Sequence, residues 1–84
     1  MNEMKQQIRQ FVSELLPDGK SANLRDDTPL RTSGLVDSMG MLRIVSFLEK
    51  KFGIEVGAYE ASIDNFDRID DIAAFVERKQ ATKA

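Results

Sequence analysis

Apolar residues fall at Met4, Ile8, Phe11, Val12 and Leu15. Steps of three and four keep them on one face of a helix, predicting a first helix from about Asn2 to Leu16. Lys5, Gln6, Arg9, Gln10 and Glu14 form its solvated side. Pro17, Asp18 and Gly19 then stop it, because proline removes a donor and glycine tolerates positive φ. From Lys20 to Val36 no period is sustained while Ser, Thr, Asp, Asn and Pro recur, which predicts a long loop pinned by Leu24, Leu30, Leu35 and Val36.

The next helical rhythm runs from Met39 to Phe52. Met41, Ile44, Val45, Leu48 and Phe52 share its inner side, with Leu48 in mid-stripe and Glu49 at an edge where truncation should cost little. Met39, Arg43, Ser46 and Lys50 look outward and Leu42 lies on the boundary, so the helix entrance exposes an apolar spot of the kind that meets a partner. Gly34 supplies a turn before it, Asp37 or Ser38 can cap it, and Gly53 ends it. Ile54 and Val56 alternate inward across Glu55 in an extended connection. A short third helix is expected over Tyr59–Asp64, anchored by Ile63 and Phe66. Asp67 is expected to cap a last helix with Asp70 and Asp71 in its first turn and a buried stripe of Ile69, Ile72, Ala73 and Val76. The tail from Gln80 to Ala84 is expected to fray. The pattern predicts one all-α domain over residues 1–84, ordered from about 2 to 79, with three long helices, a short third one and a long loop between the first two.

With 84 residues, no cysteine and no histidine, the chain lacks a thiol and the commonest general base and metal ligand. Self-sufficient catalysis is disfavoured and any thiol in use must be added. A net charge of −2 argues against a nucleic-acid footprint. The first residues lack the apolar core of a signal peptide and no run suffices for a membrane span, so a cytoplasmic location is expected; the chain is expected to be a monomer. Two other chemistries fail on spacing. A serine-hydrolase elbow needs glycine where Val36 stands, and a histidine elsewhere. Asp64, Asp67, Asp70 and Asp71 lack the glycine and closing glutamate of a calcium loop, so capping accounts for them better and no metal site is predicted.

Three motifs occur in register: Asp27-Thr28-Pro29-Leu30, Ser33-Gly34-Leu35-Val36-Asp37-Ser38-Met39-Gly40, and Leu48-Glu49-Lys50-Lys51-Phe52-Gly53-Ile54-Glu55-Val56. In this arrangement the whole chain resembles the acyl carrier protein family. The resemblance implies a four-helix carrier bundle in which Ser38 is esterified to 4′-phosphopantetheine drawn from coenzyme A, the arm's thiol holding acyl or aminoacyl cargo as a thioester. It implies a phosphopantetheinyl transferase, an acyl- or aminoacyl-adenylating ligase or acyltransferase, and a downstream synthase or transferase as partners. Leu35, Asp37, Met39, Leu42 and Arg43 around Ser38 become the expected partner surface. Gly57 stands where members often carry proline, implying a looser entrance there. Gly40 and Arg43 occupy places that are usually acidic in fatty-acid carriers, which points away from generic fatty-acid partners and towards D-alanyl, aminoacyl or specialised acyl carriers. From another class, the competing reading is an unmodified helical interaction module.

Overall fold

The computed structural model describes residues 3–16 and 24–82, so the Pro17-Asp18-Gly19 stop, the start of the loop and the two chain ends lie outside the described residues. Among the described residues four helices follow one another: α1 (Glu3–Leu15), α2 (Ser38–Phe52), α3 (Ile63–Phe66) and α4 (Ile69–Thr82). The all-α, three-long-one-short expectation holds.

The core lies where the helical stripes predicted it. Ile8 and Val12 of α1, Met41, Ile44 and Leu48 of α2, and Ile69, Ile72, Ala73 and Val76 of α4 are all buried, with Leu30 and Val36 from the loop. Burying side chains of this size contributes about 1.5–3 kcal/mol each. Phe75 is also buried, although it stands outside the predicted stripe. The reason is that α4 packs against α1, α2 and α3 together, so its apolar arc is wider than that of a helix with one neighbour. Phe47 escapes the stripe of α2 for a different reason: it stacks on Phe11 of α1, ring centroids 4.2 Å apart and nearly parallel.

Several local expectations need correction. The third helix is not Tyr59–Asp64 but Ile63–Phe66. Residues 57–61 instead form a turn in which Glu60 and Ala61 N–H groups donate to the Gly57 carbonyl, and the helix starts only once Asn65 and Phe66 donate to Ser62. Phe66 anchors it in the core, whereas Ile63 is half exposed. The Gly57 N–H donates to the Glu60 carboxylate at 2.8 Å, a bond that proline could not make. The last helix extends past Gln80 to Thr82, and the end of the tail expected to fray lies outside the described residues. Lys79 in its final turns pairs with Glu60 at 3.1 Å and holds it to the turn before α3.

Glu49 also differs from expectation. Its carboxylate accepts the Val56 N–H at 3.0 Å, tying the end of α2 to the extended connection that follows. Gly53 ends α2 in the left-handed region, φ 65°, with its N–H returned to the Glu49 carbonyl.

These contacts order three substitutions in α2. Leu48→Ala should lower stability by about 2–5 kcal/mol because it opens a cavity in a fully buried site. Glu49→Ala should cost about 1 kcal/mol through the lost bond to Val56, and the exposed Lys50→Ala should stay within about 0.5 kcal/mol of wild type. Urea unfolding of the three variants, read by circular dichroism, checks that order.

Candidate functional site

The loop between α1 and α2 is fastened from both sides before it delivers the chain to α2. Asp26 accepts both Arg9 Nε (2.8 Å) and a second guanidinium nitrogen (3.1 Å) from α1, and its backbone carbonyl accepts the N–H of Asp70 at the start of α4. Arg9 beside it holds the Asp26 carboxyl below the ordinary carboxylate value. Further along, Leu30 is buried, its N–H donates to the Asp67 carbonyl and its own carbonyl accepts Val36 N–H at 2.9 Å.

Asp67 completes the fastening. It does not cap α4, as the sequence suggested, but closes α3 and turns its carboxylate to the loop. One oxygen accepts the N–H groups of Arg31 and Thr32, each at 2.9 Å, and the other accepts the Thr32 hydroxyl at 2.9 Å. Burial, the largest influence, pushes the Asp67 pKa up; the Thr32 N–H and hydroxyl, the Arg31 N–H and the Arg68 charge together bring it below the ordinary value.

The loop then reaches Asp37, which caps α2 by accepting the Gly40 N–H at 2.8 Å. This resolves the choice of cap left open by the sequence, and it leaves Ser38 free for other work. Ser38 is the first residue of α2 and is exposed. Its Oγ accepts a hydrogen bond from the Arg31 guanidinium at 3.3 Å. Sequence reasoning missed Arg31, because a lone cation in an aperiodic loop carries no signal of where it points. Gly40, two residues on, is a packing choice: a methyl group there would meet Val36 Cγ1 at 2.8 Å.

Two surface depressions lie along α2, the smaller lined by Ser38 itself and the larger by Met39 next to it. The smaller, about 280 Å³, is lined by Arg31, Ser38, Met41, Leu42, Val45 and the Ala61–Ile63 segment. The larger, about 870 Å³, lies between α1 and α2 and takes in Met39, Leu42 and Arg43. Leu42 is the ridge between them. Leu35, half-buried, and Asp37 lie in neither lining. Among the described residues no group of acidic side chains is arranged to hold a metal ion, and no helix is long and apolar enough to cross a membrane.

An exposed hydroxyl on the first turn of a capped helix, with a cation beside it, suits a covalently attached phosphate. The helix start adds partial positive charge to that of Arg31. The family model described as "Phosphopantetheine attachment site" matches residues 6–76. The chain belongs to the acyl carrier protein family. The carrier is 31% identical over 74 residues to the "Probable acyl carrier protein PigG" of Serratia sp. (strain ATCC 39006), covering 88% of this chain and 84% of that protein. Its fold also matches a chain of a structure described as "Crystal structure of FAD-dependent dehydrogenase", with a TM-score of 0.73 over 82% of this chain and 97% of that one. At 23% identity that likeness concerns the fold alone. The cofactor of the carrier is therefore 4′-phosphopantetheine, and its work is carriage.

Two substitutions probe how the site is held. Asp67, Asp26 and Glu60 all have lowered pKa values, so each adds stability that is complete above the unfolded carboxylate range, near pH 4, and is lost as pH falls through the folded value. Asp67→Asn should cost about 1–3 kcal/mol at neutral pH, by weakening bonds to a charged acceptor, and should flatten the acid limb of a stability-against-pH curve. Gly40→Ala should destabilise despite a helix-propensity gain of about 1 kcal/mol, and the sign should reverse in a Val36→Ala background. Denaturant midpoints across that double-mutant cycle provide the check.

Proposed function

We propose that Ser38 carries the 4′-phosphopantetheine arm and that the protein, without turnover of its own, presents acyl or aminoacyl thioesters to separate enzymes. The observation that supports this most is that Ser38 is not used by the fold: Asp37 is the cap, and the hydroxyl is exposed with Arg31 as its neighbour. In the transferase's site Ser38 Oγ attacks the phosphorus on the pantetheine side of coenzyme A. The phosphoanhydride bond breaks with loss of the adenosine bisphosphate, and the serine proton passes to a base of the transferase, since this chain has no histidine to take it. The Arg31 guanidinium, 3.3 Å from Ser38 Oγ, would offer its positive charge to a phosphate attached there.

In this reading residues 1–84 act as one cytoplasmic domain, and the partners are a phosphopantetheinyl transferase, an adenylating ligase or acyltransferase that loads the thiol, and a synthase or transferase that takes the cargo. Leu35, Asp37, Met39, Leu42 and Arg43 contribute to recognition around the serine. The exposure of Met39 and Leu42 supports this for the start of α2.

The test is incubation with coenzyme A and a promiscuous transferase, followed by intact mass measurement. One arm should add, creating the only thiol in a protein that has no cysteine. Ser38→Ala should add none while keeping its helical circular dichroism, because the cap remains with Asp37. Addition to the alanine variant would remove the assignment, and no addition to the wild type would favour the unmodified interaction module.

A further inference from the structure

Several long cations elsewhere on the surface are held by partners: Lys5 by Asp70 at 2.7 Å, Arg9 by Asp26 and Lys79 by Glu60. Arg43, Lys50 and Lys51 of α2 make no ion pair or side-chain hydrogen bond with any described residue. Glu49, the acid on this helix, is turned to the Val56 N–H. On a chain of net charge −2, α2 thus carries a positive edge of three cations, which outnumber Glu14 of α1, the acid in the lining of the groove beside them.

That edge borders the larger groove. Its apolar lining is Phe11, Leu15 and Phe47, with Phe11 and Phe47 stacked on one another, together with Met39 and Leu42, each 64% exposed. We propose that this groove docks an amphipathic helix of a partner enzyme, its apolar anchors entering over Phe47 and its acidic residues meeting Arg43, Lys50 and Lys51. The proposal rests on the carrier reading of Ser38, because the groove begins at Met39, the next residue, and a partner seated there lies beside the arm.

The chemistry of the occupant follows from charge and spacing. Arg43 and Lys50 are seven residues apart, about 10 Å along α2, which matches acids seven residues apart on a helix lying alongside. Since no internal ion pair has to be broken, these cations are available to a partner at little cost. Exposed pairs are individually weak, so the apolar lining supplies most of the affinity and the cations set orientation and choice of partner. An enzyme that offers basic residues to this edge is repelled.

Two synthetic helical peptides of about 15 residues test this, identical in their leucine and phenylalanine anchors but carrying glutamate or lysine at positions seven apart. They are titrated into the isotope-labelled full chain. The glutamate peptide should shift the amide resonances of Phe11, Met39, Arg43, Phe47 and Lys50. It should bind about tenfold more tightly than the lysine peptide at low salt, a ratio that shrinks several-fold near 1 M salt, where the screening length is about 3 Å. The triple variant Arg43→Glu, Lys50→Glu, Lys51→Glu, checked for folding by circular dichroism, should invert the preference. Equal or absent binding, shifts gathered instead around Arg31 and Ile63, an unchanged preference in the variant, or retention on phosphatidylserine vesicles with neither peptide bound would each overturn the proposal. Arm loading of the wild type is followed in parallel by intact mass. Full loading without peptide discrimination removes the docking proposal alone, and discrimination without loading removes the carrier reading alone.

Discussion

The carboxylate of Asp67 is the point on which the geometry of the site depends. The segment before α2 has neither a helical nor a sheet ladder to satisfy its backbone, and buried or half-buried N–H groups must find acceptors somewhere. Asp67 accepts from Arg31 and Thr32, and its backbone carbonyl accepts from Leu30. One residue therefore fixes three consecutive positions of the loop. Because it also closes α3, the path that leads to Ser38 is referred to the interior of the bundle. The buried side chains of Leu30 and Val36 supply the apolar half of the same anchorage.

How much of this was legible in the sequence varies with the range of the interaction involved. Helical periodicity reports a face directly, so the stripes of α1 and α2 could be read residue by residue, down to Met41 inward and Met39 outward. It fails where an element has several neighbours, as at Phe75, or where a side contact forms by aromatic stacking, as at Phe47. Aspartate is ambiguous for a different reason. Its short acceptor suits a helix cap and a loop clamp equally well, and Asp37 does the first while Asp67 does the second. Arg31 was invisible because its contact with Ser38 depends on a loop path that residues far along the chain determine.

Electrostatics divide the start of α2 between two neighbours of opposite sign. Asp37 takes up an orphan N–H of the first turn, and Arg31 approaches the hydroxyl of the very next residue. The cap thus neutralises part of the helix start without occupying the serine. Part of the protein's acidic balance is carried elsewhere, in pairs that bind α1, the loop and α4 together, while Arg43, Lys50 and Lys51 of α2 enter none of the ion pairs among the described residues.

Ser38 and the outward residues Met39, Leu42 and Arg43 belong to one helix, with no hinge between them. At about 1.5 Å per residue, α2 is a rod of roughly 22 Å with Ser38, the proposed pivot of the arm, at its tip. A surface that grips the rod's shaft therefore aims the pivot as well, and no slack accumulates between handle and tip. Positional error at the far end of a tether grows with any tilt of its root. Placing the root on the gripped body, rather than on the loop beside it, makes the accuracy of delivery a property of docking alone.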